Sequence, residues 1–374
     1  MHGSVTAAKT IISAYYSGDI KFSYYASCST GGRQGLKELQ LHPETFNGVV
    51  VGAPAWWLTH LQTWTLKQGL SNLSNNCSSY IPAPLFSTIA DEMLRQCDAQ
   101  DGLRDQIIGD PFGCNFTFNR LLCQPSNNST ACLTAGQMKT AEKLYKPVLS
   151  ANQTLLFPGL SLGSDAAALA LKPSGLGVDL YRYWVFNDSN WDVTKFKIQD
   201  VALADHINPG NAVADNFDLS PFKQRGGKLI HYHGLADPLI PAGSSQHFFE
   251  QVQRTMALNG TQLGDFYRFF HVPGMSHCMG STVAPWYIGG GTQFVPGVTH
   301  SIPESMDRQH DVIMAIMAWV EKGEAPDQII ATKFRNDTGP AGIESQRPIC
   351  PYPQKAHFDG QGDPKSPCSW KCAS

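Results

Sequence analysis

The sequence predicts an α/β fold built on a parallel sheet, and three observations lead there. A strand-like run at 20–27 enters a small-residue segment, Cys28-Ser29-Thr30-Gly31-Gly32, which continues with helical spacing over 33–41. Residues 48–53 (GVVVGA) form a short β-branched run of the kind a parallel strand buried on both faces requires. Two further runs, 228–233 (KLIHYH) and 266–272 (FYRFFHV), read as strands that each empty into a polar loop.

The remaining elements fill the same grammar. Residues 5–16 have helical spacing and stop at Gly18. Residues 242–258 read as a helix between the last two strands. Residues 305–322 read as an amphipathic helix with Val312, Ile313, Ile316, Met317 and Val320 on one face and Gly323 as its stop. The stretch from 59 to 220 differs in character: it holds five of the ten cysteines and many polar turns. It is expected to be an inserted, disulfide-braced domain, with 1–58 and 221–374 forming the α/β domain.

Composition narrows the function. With 42% apolar residues in 374, the chain can bury a large core. The net charge of −3 leaves no basic surplus to neutralise phosphates, which argues against nucleic-acid binding. No apolar run approaches the ~18 residues of a membrane helix, so no membrane partner is expected. Charged residues are only 16%.

Cysteine and asparagine usage point outside the cytosol. Cys97, Cys114, Cys123 and Cys132 cluster, which suits a disulfide framework. Zinc is the rival use, but there is no C-x-x-C and no paired Cys/His knuckle. Glycosylation sequons begin at Asn72, Asn76, Asn115, Asn127, Asn128, Asn152, Asn187, Asn259 and Asn336. A secreted glycoprotein is expected. Met1-His2-Gly3-Ser4 opens no signal peptide, so a segment ahead of it is expected, either processed away or missing from the sequence.

Ser29 is the first candidate for chemistry. A serine hydroxyl needs exposure and a base, and a sharp strand-to-helix turn supplies the exposure. The G-x-S-x-G pattern is only partly kept, because Ser27 stands at the first small position and Gly31 at the second. An ordinary helix N-cap serine is the competing use. Asp237, in Gly234-Leu235-Ala236-Asp237-Pro238, follows the strand at 228–233; it is either a triad acid or a turn aspartate. His277, in Gly274-Met275-Ser276-His277-Cys278, follows the strand at 266–272. The order Ser29, Asp237, His277 is that of α/β-hydrolases. Cys28 precedes the serine and Cys278 follows the histidine, so an assembled triad would bring the two thiols together.

These motifs, with Gly52-Ala53-Pro54-Ala55 and Arg347-Pro348-Ile349-Cys350-Pro351-Tyr352-Pro353, resemble the tannase/feruloyl esterase family over about residues 2–372. The resemblance implies an α/β-hydrolase-type sheet with a lid domain. It implies a triad of Ser29, Asp237 and His277 with a disulfide between Cys28 and Cys278. It also implies disulfides Cys97–Cys114, Cys123–Cys132 and Cys350–Cys372, leaving Cys77 and Cys368 to pair with each other or with cysteines elsewhere.

Asp98, Asp101 and Asp105 surround Gly102 and offer hard oxygen ligands, although an exposed acidic turn would look the same. The resemblance implies a structural calcium ion (Ca2+) in the lid, held by these three carboxylates and the carbonyls of Leu103 and Ile107. The expected activity is hydrolysis of plant phenolic esters, small or attached to feruloylated polysaccharide, with the Thr30 amide stabilising the oxyanion. Gallate esters, as for a tannase, are the alternative. An inactive fragment or a non-catalytic secreted binding protein is the alternative from another class. Only about 20 residues precede the nucleophile strand, so the first four strands of such a sheet and the second oxyanion donor are expected to be missing.

Two further groups are ambiguous. His231 and His233 alternate on one strand face and read either as a metal pair or, preferably, as packing near the site. Trp56, Trp57, Trp64, Tyr181, Tyr183 and Trp184 could stack on an aromatic acyl group, but most of them read as core.

Overall fold

The computed structural model describes residues 1–73, 78–124, 131–258, 260–298 and 307–374. In chain order the strands are β1 (Tyr24–Cys28), β2 (Gly48–Gly52), β3 (Val148–Leu149), β4 (Leu155–Phe157), β5 (Lys228–Gly234), β6 (Tyr267–Val272), β7 (Ile329–Phe334), β8 (Ile343–Ile349), β9 (Lys355–Phe358) and β10 (Trp370–Ala373). The chain divides into two compact units. The first comprises Met1–Trp56, Ala214–Gly234 and Ser245–Ser374; the second comprises Trp57–Val213 and Leu235–Ser244.

The first unit is organised by a four-stranded sheet in the order β1-β2-β5-β6. Every pairing in it is parallel, with Cys28 opposite Gly52, Gly52 opposite Tyr232 and Gly234 opposite Val272. The loops after β1, β5 and β6 therefore all leave from the same edge of the sheet, where α/β proteins hold their chemistry. β2 is buried along its whole length, as its valine run predicts. Val50, Ile230 and Phe270 from the sheet pack with Val312, Ile316 and Trp319 of the helix Val312–Lys322.

That helix starts later than its amphipathic pattern predicts. Residues 299–306 lie outside the described residues, and Asp311 is the N-cap, accepting bonds from the Ile313 and Met314 amides. Gly323, at φ 75°, closes the helix as expected. Two antiparallel pairs, β7–β8 and β9–β10, complete the unit. The disulfide Cys350–Cys372 ties the end of β8 to β10, and the Arg347 guanidinium lies 3.8 Å from the Trp370 ring centroid.

The second unit is mainly helical, with helices Leu58–Ser71, Ala83–Cys97, Ala135–Tyr145 and Asp200–Ile207 and the small β3–β4 pair. A capping box on Thr134 and Gln137 starts the third of these helices. Disulfides Cys97–Cys114 and Cys123–Cys132 brace the second unit. Cys77 lies outside the described residues, and Cys368 is exposed and joined to no other cysteine among the described residues. Asn115, Asn152, Asn187 and Asn336 are exposed, as an acceptor asparagine must be. Asn72 is not: its amide is buried and bonded in both directions to the Ile81 backbone.

Candidate active site

β1 ends at Cys28, and Ser29 turns the chain sharply into the helix Thr30–Leu41 with φ 62° and ψ −123°. A non-glycine residue there is strained by about 1–3 kcal/mol, so its surroundings must hold it. Three backbone bonds do so. The Ser29 amide donates to Gly52 O at 2.9 Å, and its carbonyl accepts from Arg33 at 3.0 Å and Ala55 at 3.1 Å. The turn also demands small neighbours. A Cβ at Gly31 would sit 1.9 Å from Ser27 Oγ, and one at Gly32 would sit 2.6 Å from Gly52 O. Ser27 and Gly31 thus face each other across the turn, and with a serine at 27 only glycine fits at 31. Thr30 is the first helical residue, so its amide is among those with no acceptor inside the helix.

His277 sits on the loop after β6 and is half-buried. The loop is closed by Ser276 N to Gly280 O at 2.8 Å and Met279 N to His277 O at 2.8 Å. Gln293 Nε2 donates to Cys278 O at 3.2 Å. The Cys28–Cys278 disulfide is formed, with Cα atoms 5.9 Å apart, and packs with Ala53. The serine turn and the histidine loop are therefore covalently joined one residue from each side chain of interest.

Asp237 lies three residues beyond the end of β5 and is fully buried. Its Oδ1 accepts from the Leu239 amide at 2.8 Å and the Ile240 amide at 2.9 Å, which ties the carboxylate into its own turn around Pro238.

The two strand histidines are packing groups, as preferred from the sequence, and they share a partner the sequence does not announce. His231 Nε2 and His233 Nδ1 both contact Ser245 Oγ, at 2.7 and 2.6 Å. His231 Nδ1 meets the Tyr267 hydroxyl at 2.8 Å. Trp56, Trp64 and Tyr181 are core residues, whereas Tyr183 and Trp184 are exposed.

In the acidic loop, Asp98 Oδ1 accepts from the Asp105 and Ile107 amides, Asp105 Oδ1 from the Ile107 amide, and Asp101 Oδ1 from the Leu103 amide. Gly102 takes φ 92° at the turn. The donor set, carboxylates and carbonyls only, suits a hard cation such as calcium. In this structure the three carboxylates do not all lie within 4.8 Å of one another. Among the described residues, the one group of three His, Cys, Asp or Glu ligand atoms within 4.8 Å is His2, His42 and Glu44.

A family model described as tannase and feruloyl esterase matches residues 1–172 and 177–373. Over 376 residues the chain is 38% identical to a probable feruloyl esterase B-1 of Aspergillus flavus, covering 100% of this chain and 70% of that protein. The same figures hold for a probable feruloyl esterase B-2 of Aspergillus oryzae. Among solved structures, feruloyl esterase B from Aspergillus oryzae superposes with a TM-score of 0.91 at 35% identity, over 100% of this chain and 73% of that one. Tannin acyl hydrolase from Aspergillus niger shares the fold, with a TM-score of 0.73 at 22% identity over 95% of this chain and 65% of that one. The chain therefore belongs to the tannase and feruloyl esterase family and is a carboxylic ester hydrolase.

Proposed function

We propose that this chain is a secreted serine esterase with an α/β-hydrolase-type site, releasing ferulic or a related hydroxycinnamic acid from plant phenolic esters. His277 takes the proton of the Ser29 hydroxyl as Oγ attacks the ester carbonyl carbon. The Thr30 amide stabilises the tetrahedral oxyanion. The carbonyl carbon–oxygen bond to the alcohol breaks, and His277 returns the proton to the departing oxygen. Water, deprotonated by the same imidazole, then releases the acid and restores Ser29. Asp237 orients the imidazole and stabilises its positive form. In the acidic loop, whose three carboxylates would have to draw together around it, Asp98, Asp101 and Asp105 with the Leu103 and Ile107 carbonyls would hold a structural calcium ion that takes no part in the chemistry.

The observation that carries this reading is the strained Ser29 turn joined through Cys28–Cys278 to the His277 loop. Ferulate is preferred because the relatives that match over this whole chain at 35–38% identity are described as feruloyl esterases. The test is hydrolysis of methyl ferulate and methyl gallate by the chain and its Ser29→Ala variant. Ser29-dependent release of ferulate is expected. Release of gallate alone would move the substrate to tannins, and turnover that survives Ser29→Ala would overturn the triad.

A further inference from the structure

A buried hydrogen-bond chain ends at the C-terminal edge of β5. It runs from Tyr267 Oη to His231 Nδ1, from His231 Nε2 to Ser245 Oγ, and from Ser245 Oγ to His233 Nδ1. His231, His233 and Ser245 are fully buried, and Tyr267 is 1% exposed.

Counting protons fixes the direction of this chain. Burial pushes the Tyr267 phenol far above its usual range, so it keeps its proton. His231 is its hydrogen-bond partner among the described residues. A buried hydroxyl left without an acceptor is costly, so Tyr267 donates to His231 Nδ1. Burial, with His233 and His271 nearby, holds His231 neutral. Its one proton therefore lies on Nε2 and goes to Ser245 Oγ. The serine has a single proton to give, and it gives it to His233 Nδ1. His233 is thereby fixed in the tautomer that carries its proton on Nε2.

The next residue along the strand touches the catalytic loop. A Cβ on Gly234 would lie 2.3 Å from Met275 O and 2.6 Å from Ser276 O, so the backbone of β5 bears directly on the segment that leads to His277. We propose that Tyr267, His231, Ser245 and His233 form a proton-ordered positioning relay that fixes the end of β5 and, through Gly234, the His277 loop. This rests on His277 being the base of the esterase. Ser245 and Tyr267 are then positioning residues for ester hydrolysis.

Two measurements on the full chain test it: imidazole 15N–13C NMR of the histidine tautomers, and kcat and KM on methyl ferulate for Ser245→Ala and Tyr267→Phe, with Ser29→Ala alongside. In the unaltered protein both His231 and His233 should be protonated on Nε2. Ser245→Ala should lower kcat by about 10- to 100-fold with KM changed less than about twofold, the signature of a displaced reacting group. Tyr267→Phe keeps the ring in the core, so it decides the outcome even if Ser245→Ala fails to fold. It should shift the His231 proton towards a mixture of tautomers and lower kcat in the same way. A His233 protonated on Nδ1 in the unaltered protein would overturn the relay. So would unchanged kcat in Tyr267→Phe, or in a folded Ser245→Ala, while Ser29→Ala is inactive. Turnover surviving Ser29→Ala would instead remove the esterase reading beneath it, leaving the tautomers to be judged by NMR alone.

Discussion

Cys28 and Cys278, 250 residues apart in the chain, are joined by a disulfide that places the residue after the first and the residue before the second on one covalent clamp. Closing so long a loop restricts the unfolded chain by on the order of 5 kcal/mol in the chain-entropy account, and measured values run from about 2 to 4. The clamp also sets where His277 stands relative to the Ser29 turn. The double variant Cys28→Ala/Cys278→Ala is expected to lose esterase kcat by at least about 10²-fold at a temperature where it remains folded. Circular dichroism and a methyl ferulate assay on the same sample separate the two effects. A folded variant with full kcat would reduce the bond to a stabiliser.

Much of this was legible because local chemistry and tertiary structure agree. The serine turn shows in the sequence because Gly31 and Gly32 are small for steric reasons that operate within a few residues. The valines of β2 declare a strand buried on both faces. β8 was hidden because its residues (IESQRPI) are largely polar and include Pro348, which strands tolerate only at edges. β9 and β10 have four residues each, too few for an alternation to show. The burial of Asn72 does not show in its sequon. Ser245 and Tyr267 could not be picked out, because each meets His231 only through packing, from 14 and 36 residues away.

Stability should fall as the solution becomes acidic, and His231 supplies part of the slope. Burial, with His233 and His271 nearby, holds this imidazole well below the usual histidine range. The unfolded chain takes up the proton near pH ~6.5, whereas the folded chain does not. Below that pH the unfolded state binds more protons, so stability is full above it and declines as pH drops towards the depressed folded value, by up to about 1.4 kcal/mol per pH unit. Urea denaturation at pH 7, 6 and 5 should show the decline. His231→Gln should flatten it; an equal slope in the variant would assign the acid sensitivity to other groups.

Calcium should stabilise the protein without changing its chemistry. If the loop from Asp98 to Ile107 takes the ion, free calcium at 100 times its dissociation constant adds about 2.7 kcal/mol. Removing it with a chelator should lower Tm by several degrees and leave the KM for methyl ferulate unchanged at temperatures well below the transition. Asp98→Asn should abolish the calcium-dependent rise in Tm, although its Oδ1 still accepts the Asp105 and Ile107 amides. A rise in Tm that persists in Asp98→Asn would place the ion elsewhere.

Gly234→Ala should separate activity from stability. The residue ends β5, and an added methyl carbon would lie 2.3 Å from Met275 O and 2.6 Å from Ser276 O. Neither atom is the flexible end of a side chain, so the backbone before His277 must move. Overpacking of this kind typically costs about 1–3 kcal/mol. With His277 as the proposed base, displacing it by even about 1 Å can cost on the order of 10² in rate. The variant is therefore expected to fold, melt a few degrees early and lose most of its kcat. Gly175→Ala is the control, because a Cβ there meets nothing within 4 Å. It should keep both Tm and kcat. If Gly234→Ala lost stability but kept its kcat, the end of β5 would be a packing contact with no hold on the position of His277.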